Sequence, residues 1–367
     1  MKPKDLRWAA GLATAGVLAG AALVWLPLAS DDPAAPVVEA GLPGAMVGDL
    51  RAAFEDRQMP SLSGNWTLSL PEDHAPHPEA PAETWAIFAH LRNADGAPVS
   101  ALFTLSRFGI ATEPDDTGNA WAPRDAWLGQ AAIVGDRTQA EERLSRGAGA
   151  AGQDAGAGRV WLDDWSIDHR HEAGSDRVTL RARVEGTALE LTLVPVKDAL
   201  GPEGGVEGPS RGFAMTRLDA SGEMGPEGTA VDGVAWMDRL WGDLPAPGGP
   251  LVYDRVILHL DDGADVSLLR TRRRDGRGGT TLDGVLVDAT GTAVSLTDVA
   301  SWQDGDGADV WTLTGPDLSL DLTALPGGGV RDFAVPVRHA GLRVEGTRGG
   351  RAVGGSGSLL LSTEVAP

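Results

Sequence analysis

From about Ser61 onward, apolar and polar residues tend to alternate, and short stretches of this alternation are separated by Gly, Asp, Asn and Pro. Successive side chains of a β-strand point to opposite faces, so a period of two predicts strands with one buried face. The segments Trp85–Leu91 and Val99–Phe108 flank Asn93–Gly96, where Asp-Gly supplies the positive φ of a tight turn. These two segments are therefore predicted to form a β-hairpin.

The same pattern continues through the rest of the chain. A second hairpin is predicted where Arg177–Glu185 and Thr187–Val194 flank Gly186. Further strands are predicted at Phe213–Met224, Gly233–Trp236, Val252–Leu260, Asp265–Thr271, Leu282–Asp288, Ala293–Leu296, Val310–Thr314, Leu318–Leu322, Leu342–Thr347 and Ser356–Ser362. Roughly eight to ten strands in each half suit two antiparallel β-barrels, which leave no exposed edges. We place the boundary near Gly205, giving units over residues 61–205 and 206–367.

The first 30 residues differ from this pattern. Lys2, Lys4 and Arg7 precede an uncharged run, Trp8–Ser30, which predicts a hydrophobic helix that directs export. Its length fits either a cleaved signal peptide over residues 1–30 or an N-terminal membrane anchor, and both alternatives stay open. Residues 31–60 form a linker rich in Pro and Ala at its start. In either case the positive-inside rule predicts a body outside the cytoplasm, in the periplasm.

Charge and composition narrow the classes of partner. Acidic residues outnumber Lys and Arg by 52 to 31, giving a net charge of −21, which disfavours nucleic acid as a partner. There is no cysteine, so disulfides, thiolate nucleophiles and Cys-ligated zinc are excluded. We find no serine-hydrolase elbow, zinc-protease pair, phosphate loop or dinucleotide fingerprint.

Several segments of the chain, in order, match the motifs of a known family. Residues 70–78 (LPEDHAPHP), followed by 83–85 (ETW), resemble a "DHG.H…TEWWY" opening. Residues 144–147, 160–165 and 215–222 resemble "FSRG", "VWLEDW" and "FTRL.ASG" segments, and residues 233–242 (GVAWMDRLWG) resemble "G.AWMDHEWG". In this order the segments resemble those of the carotenoid 1,2-hydratase-like or AttH-like family, often labelled predicted secreted hydrolases.

The resemblance implies two consecutive lipocalin-like barrels and a hydration reaction. In that reaction an acid protonates an isolated C=C bond, and water captures the resulting cation. The acid must have a raised pKa to remain protonated near neutral pH, and aromatic side chains around it stabilise the cation. The matching acid is Asp254, with Tyr253 beside it as the second candidate catalytic residue. The resemblance implies no cofactor, because the reaction needs only water.

The chain departs from the family pattern at the motif itself. Arg239 stands where the family has histidine, and Leu240 where it has glutamate. An arginine cannot shuttle a proton, and its charge would lower the pKa of a neighbouring acid. The candidate ligand-binding residues are Trp85, Trp236, Asp238, Arg239 and Trp241. The structural alternatives are core tryptophans and the ion pairs Asp238–Arg239 and Asp254–Arg255.

Histidine clusters give little indication of a metal. His74 and His77 lie with Asp73 and Glu79 in a Pro-rich loop, and a metal site would need further convergent ligands, so we predict none. His169 and His171 alternate with charged residues and are predicted to lie in a solvated turn.

Three functions follow as hypotheses. The first is an exported protein that binds a lipophilic isoprenoid or lipid in a barrel or between barrels, with a membrane transport complex as a candidate partner. The second is a hydro-lyase that adds water to an isoprenoid double bond with Asp254 as the acid. The third is a non-catalytic assembly factor whose tryptophans contact a protein.

Overall fold

The structure, a computed structural model, describes residues 59–109, 124–145, 149–172, 174–202, 206–244, 251–273, 275, 277–297, 299–305, 309–331, 333 and 337–362. The predicted N-terminal helix, whether leader or anchor, lies outside these ranges, as does nearly all of the linker. Within them the secondary structure is strand, apart from a 3-10 helix at Glu72–His74. No helix in this part of the chain is long and apolar enough to cross a membrane.

The strands before residue 245 confirm both predicted hairpins. They are β1 (Asn65–Trp66), β2 (Ala82–Asn93), β3 (Pro98–Gly109), β4 (Asp125–Val134), β5 (Thr138–Ser145), β6 (Ala151–Asp154), β7 (Arg159–Leu162), β8 (Trp165–Glu172), β9 (Ser175–Val184), β10 (Thr187–Pro195), β11 (Val206–Glu207), β12 (Ser210–Met224) and β13 (Thr229–Gly242). Gly96 and Gly186 have φ of +79° and +86°, the conformation that the tight turns require.

An eleven-stranded antiparallel sheet contains most of these strands, in the order β5-β4-β3-β2-β13-β12-β10-β9-β8-β7-β6. We call it the first sheet. β12 and β13 were expected in the second half, but β13 pairs with β2 along its length, from Val231 opposite Asn93 to Gly242 opposite Ala82. The chain therefore changes sheet between Gly242 and Leu251, later than the boundary expected near Gly205. The Gly-rich part of the chain near Gly205 thus connects β10 to β12, two strands of the first sheet.

A second sheet contains the strands after residue 250. They are β14 (Leu251–Leu260), β15 (Asp265–Arg273), β16 (Thr281–Val287), β17 (Ala293–Ser295), β18 (Ser301–Asp304), β19 (Val310–Gly315), β20 (Leu318–Ala324), β21 (Gly329–Arg331), β22 (Val337–Arg348) and β23 (Arg351–Ser362). The order is β17-β16-β15-β14-β23-β22-β20-β19-β18, and β21 also pairs with β22. The two large sheets form barrel and half-barrel shapes, which confirms a mainly β fold with two antiparallel units in tandem.

Strand alternation divides the first sheet into two faces. On β2 and β13, Trp85, Ile87, Met237 and Trp241 belong to a core enclosed by the sheet, which we call the inner face. The residues between them, including Phe88 and Trp236, belong to another apolar cluster, which also contains Ile257 and Leu360 of the second sheet. This outer face packs against the second sheet. Odd-numbered side chains of β13 such as Met237 and Trp241 therefore face the core enclosed by the first sheet, and even-numbered ones such as Trp236 face the second sheet.

A segment before β2 closes one end of the first sheet. We call residues 59–81 the plug; it contains β1, which pairs with β11, and the 3-10 helix. Arg107 of β3 donates hydrogen bonds from Nη2 to the carbonyls of His77 and Ala80, at 2.9 and 2.7 Å. The plug is held by backbone contacts, so its side chains have fixed positions against the inner face.

Candidate functional site

The residues predicted from the sequence fall into three places. Arg239 and Trp241 lie on the inner face of β13, and Trp85 lies beside them on β2. Trp236 and Asp238 point to the opposite face of β13, toward the second sheet. Tyr253 and Asp254 lie at the start of β14. Trp236 and Trp241 cannot line one pocket, because five residues of strand separate them and odd separations reverse the face.

An ion pair lies at the centre of the inner-face group. Arg239 Nη2 donates to Glu83 Oε1 at 2.8 Å, and both side chains are completely buried. The guanidinium lies 4.2 Å from the Trp85 ring centroid and also donates to the Ala75 carbonyl of the plug. Burial would raise the pKa of Glu83, but Arg239, His77 and Arg107 together outweigh burial and hold the pKa below its ordinary value. Glu83 is therefore a buried carboxylate.

His77 of the plug extends this ion pair into a network. Its ring stacks on Trp241, with centroids 3.9 Å apart and planes 5° apart. Its Nδ1 lies 3.0 Å from Glu83 Oε1, and its Nε2 lies 3.5 Å from Asp73. Burial lowers the pKa of His77, but Asp73 and Glu83 outweigh that effect and raise the pKa above its ordinary value. Arg239, His77 and the carboxylates of Glu83 and Asp73 thus form one connected network beneath Trp241.

Three N–H donors in this group have no hydrogen-bond partner among the described residues. They are Nε and Nη1 of Arg239 and Nε1 of Trp241, all buried. A buried donor without a partner is destabilising by about 1–3 kcal/mol. Trp66 packs edge-on against Trp241 at 5.1 Å, and Phe213 completes the aromatic surroundings. The site can therefore accept an oxygen atom at its polar end and apolar groups against its walls.

On the outer face, the ion pairs differ from those expected. Asp238 pairs with Arg255 of β14, not with Arg239, and also accepts a hydrogen bond from Trp236 Nε1 at 2.7 Å. Neighbouring residues of a strand point to opposite faces, so neither Asp238–Arg239 nor Asp254–Arg255 can form an ion pair within its strand. Asp238 therefore joins the two sheets.

Asp254 is also held by arginines. Its Oδ2 accepts a hydrogen bond from Arg270 Nε at 3.0 Å and lies 3.4 Å from Arg272 Nε. Its Oδ1 accepts the backbone N–H of Ser362 at 3.0 Å. Both carboxylate oxygens are thus engaged as acceptors from the second sheet. The half-buried neighbour Tyr253 packs near Leu269, and burial raises the pKa of its phenol.

The histidines group differently from the sequence expectation. His77 and Asp73 join the Glu83 network, and Glu79 is exposed. His74 instead stacks on His169, with ring centroids 3.7 Å apart. The expected turn at His169 and His171 is wrong, because both lie on β8, where an alternating sequence puts them on one face. His74, His169 and Asp176 form a group of donor atoms close enough to hold a metal ion.

Sequence reasoning missed Glu83 as a site residue, and it considered His77 and Asp73 only as metal ligands. A signal was present, since Glu83 precedes Trp85 by two residues and therefore shares its face of β2. The contact between the plug and β13 joins residues far apart in sequence, and no local pattern indicates it.

The tandem antiparallel sheets, with an aromatic, polar-ended interior, define a lipocalin-like β protein. The profile of the AttH-like family matches residues 61–315, more than half of the chain, and the chain belongs to that family. The crystal structure of an AttH protein from Nitrosomonas europaea is similar, with a TM-score of 0.68 and 20% identity, covering 82% of this chain and 98% of that one. Kievitone hydratase from Nectria haematococca has a TM-score of 0.55 and 11% identity, covering 83% and 94%. At these identities the two structures show a shared fold. No curated protein sequence matches the chain.

Proposed function

We propose that the inner face of the first sheet binds a lipophilic molecule that carries a neutral oxygen, such as the hydroxyl of an isoprenoid alcohol. The observation that carries this proposal is the set of unpartnered donors on Arg239 and Trp241 within an aromatic interior. A ligand oxygen would supply the missing acceptor, and the apolar remainder would pack against Trp66 and Phe213.

The charge balance favours a neutral acceptor over an anion. Arg239 is paired with Glu83, and His77 is paired with both Glu83 and Asp73. With two carboxylates set against Arg239, and His77 able to add at most one further positive charge, the site has no excess positive charge to offset the burial of a ligand carboxylate, which is costly without a counter-ion. A hydroxyl or carbonyl can accept from Arg239 and Trp241 without that cost.

The test compares two ligands and two tryptophans. Farnesol and farnesene share a branched apolar chain, but only farnesol carries an oxygen. Trp241→Phe removes the unpartnered N–H and keeps an aromatic wall, whereas Trp236→Phe is the matched change on the other face of β13. Dissociation constants would be measured by quenching of tryptophan fluorescence and checked by native mass spectrometry.

We expect Trp241→Phe to weaken farnesol binding by about 5- to 20-fold, the equivalent of one hydrogen bond, and to leave farnesene binding unchanged. Trp236→Phe should change neither. Equal affinity of farnesol for the wild type and Trp241→Phe would contradict the polar end of the site. Failure of both ligands to bind would contradict the proposal for this ligand class.

Hydration of an isoprenoid double bond is a second candidate, supported by the fold shared with kievitone hydratase. The proton donor proposed from the resemblance, Asp254, accepts hydrogen bonds from Arg270 and Ser362, so a donor role would require both contacts to change. The same ligands serve as a test: hydration yields a product heavier by one water, and loss of that product in Asp254→Asn would support this acid.

Export to the periplasm, with or without an N-terminal anchor, and an accessory role in a membrane transport complex are part of the same proposal. The support is the sequence of residues 1–30 and the lipophilic character of the proposed ligand. Fractionation of cells into periplasm and membrane, with and without residues 1–30, would test the location. Recovery of a permease by crosslinking in the wild type and not in the truncated chain would support the partner.

A further inference from the structure

A histidine pair on β8 faces an acidic residue on β9. His169 and His171 are two residues apart on a strand and so project from the same face. Asp176 lies directly opposite His171 in the register of β8 and β9. Its Oδ1 lies 3.0 Å from His169 Nε2 and 2.8 Å from His171 Nδ1. Both imidazoles thus contact the same carboxylate oxygen of Asp176.

The plug adds a third imidazole to this group. His74 ends the 3-10 helix and stacks on His169, and its Nε2 lies 3.9 Å from Asp176 Oδ2. The Nε2 atoms of both stacked rings are therefore directed at the same carboxylate. His74 is only 4% exposed, yet its Nε2 has no hydrogen-bond partner among the described residues.

The pKa directions follow from these contacts. Burial, aided by the charge of His169, lowers the pKa of His74 to about 3, and burial also lowers the pKa of His169. Burial would raise the pKa of Asp176, but its contacts with His171, His74 and His169 together outweigh this and lower the pKa.

We propose that His74, His169 and Asp176 form a binding site for a divalent transition metal ion of the zinc type, with His171 hydrogen-bonded to Asp176 beside it. Two imidazole nitrogens and one carboxylate oxygen are three ligands of a tetrahedral Zn²⁺ site, in which the fourth position is left to water. Bonds of about 2.0 Å to such an ion separate its ligand atoms by about 3.3 Å, and the distances of 3.0 and 3.9 Å from His169 and His74 to Asp176 lie on either side of this value. The ion would tie the plug to β8 and β9.

The test uses untagged protein, so that no tag histidine contributes. Zn²⁺ binding would be titrated by calorimetry after dialysis against a chelator, and Co²⁺ would serve as a probe because its visible absorption distinguishes tetrahedral from octahedral coordination. The variants are His169→Ala and Asp176→Asn. Asp168→Asn is the matched control, since Asp168 lies on β8 but one residue out of phase, where it contacts Arg159 and Arg181.

We expect one Zn²⁺ and one tetrahedral Co²⁺ for each wild-type chain, and a loss of affinity of more than about 100-fold in both ligand variants. Asp168→Asn should bind like the wild type. Circular dichroism and thermal unfolding in chelator would establish that the variants are folded. Absence of stoichiometric binding in the wild type would overturn the proposal, as would equal binding by all four proteins, which would indicate ions scattered over an acidic surface.

Discussion

Glu83 and Asp265 are both completely buried carboxylates, but their surroundings are opposite in kind. Asp265 of β15 accepts from Lys197 Nζ at 2.6 Å, Arg217 Nε at 3.0 Å and His259 Nδ1 at 2.7 Å. Lys197 Nζ also donates to the Gly263 carbonyl, and Arg217 Nη2 donates to the carbonyls of Leu260 and Ala264. Glu83 instead pairs with an arginine that keeps two unpartnered donors.

The difference separates a structural contact from a site. Lys197 and Arg217 belong to the first-sheet half of the chain and Asp265 to the second, so their network joins the two units, and each N–H of Lys197 has an oxygen within hydrogen-bond distance. The network around Glu83 lies within one unit and leaves two donors of Arg239 without an acceptor among the described residues. Burial and charge alone therefore do not distinguish a structural contact from a candidate site; unpartnered donors beside an aromatic core are the additional feature at Glu83.

The largest expected effect on stability comes from breaking the network around Asp265. Asp265→Asn leaves Lys197, whose side chain is 3% exposed, without a counter-ion, and removal of one partner from a buried pair destabilises by about 3–5 kcal/mol. The free energy of unfolding from urea denaturation measures this. Glu190→Gln, which breaks an exposed pair with Arg181, is the control and should change stability by less than about 1 kcal/mol. A loss for Asp265→Asn as small as that of the control would show that the two units do not depend on this contact.

The next effect sharpens the contrast at Glu83. Glu83→Gln leaves the buried Arg239 without a counter-ion and should lower the free energy of unfolding by about 3 kcal/mol. The double variant Glu83→Gln, Arg239→Met should recover most of that loss, because a buried ion pair can often be replaced by apolar residues. The double variant should still lose farnesol binding, because the donors of Arg239 are gone. A double variant as unstable as Glu83→Gln alone would show that this pair, like Asp265, is structural.

Acidity should act on the two networks with opposite signs. The pKa of His259 is lowered by burial and by Arg217 and Lys197, despite Asp265, and the nearby His339 has its pKa lowered by burial to about 3. A lowered pKa means that the unfolded chain binds more protons below its own pKa of about 6.5, so stability is lost as the pH falls below that value. His77 has a raised pKa, so its contribution is complete at low pH and is lost as the pH rises through its folded pKa.

Urea unfolding between pH 8 and pH 4 measures both branches. Each strongly shifted histidine such as His339 should remove up to about 1.4 kcal/mol per pH unit below 6.5. His339→Phe should flatten the acid branch, whereas His77→Gln should reduce the loss on the alkaline side and leave the acid branch steep. Identical pH profiles for the two variants would contradict the assignment of opposite signs.

The smallest effect distinguishes two tryptophans of β13. Trp236→Phe removes the hydrogen bond to Asp238 and should destabilise by about 1 kcal/mol, whereas Trp241→Phe removes a donor that has no partner and should change stability less in the absence of ligand. Thermal unfolding of the two variants gives the comparison. A greater loss for Trp241→Phe would mean that its N–H already has an acceptor.

Local patterns predicted the strands well and the site only partly. Alternation and Asp-Gly at residues 95–96 were sufficient for the β2–β3 hairpin, because both signals act between neighbours in the chain. The boundary near Gly205 was inferred from Gly content alone, which carries no information about the sheet that the next strand joins; β12 and β13 belong to the first sheet. Arg239 was identified as a site residue, but its partner Glu83 was not, because that pairing depends on the β2–β13 register, which no short motif encodes.

The β2–β13 ladder also determines when the site can first exist. Residue 82 pairs with residue 242 at one end of the ladder, and the plug's β1 pairs with residues 206 and 207. Loop closure over such distances is entropically unfavourable before contacts form, so folding should be slow and should pass through states in which β2 lacks its neighbour. A growing chain that ends before Gly242 cannot assemble the ligand site. The first sheet cannot be completed until β13 has been synthesised, and until then the edge of β2 that pairs with β13 is exposed. We expect aggregation during folding to begin at this exposed edge.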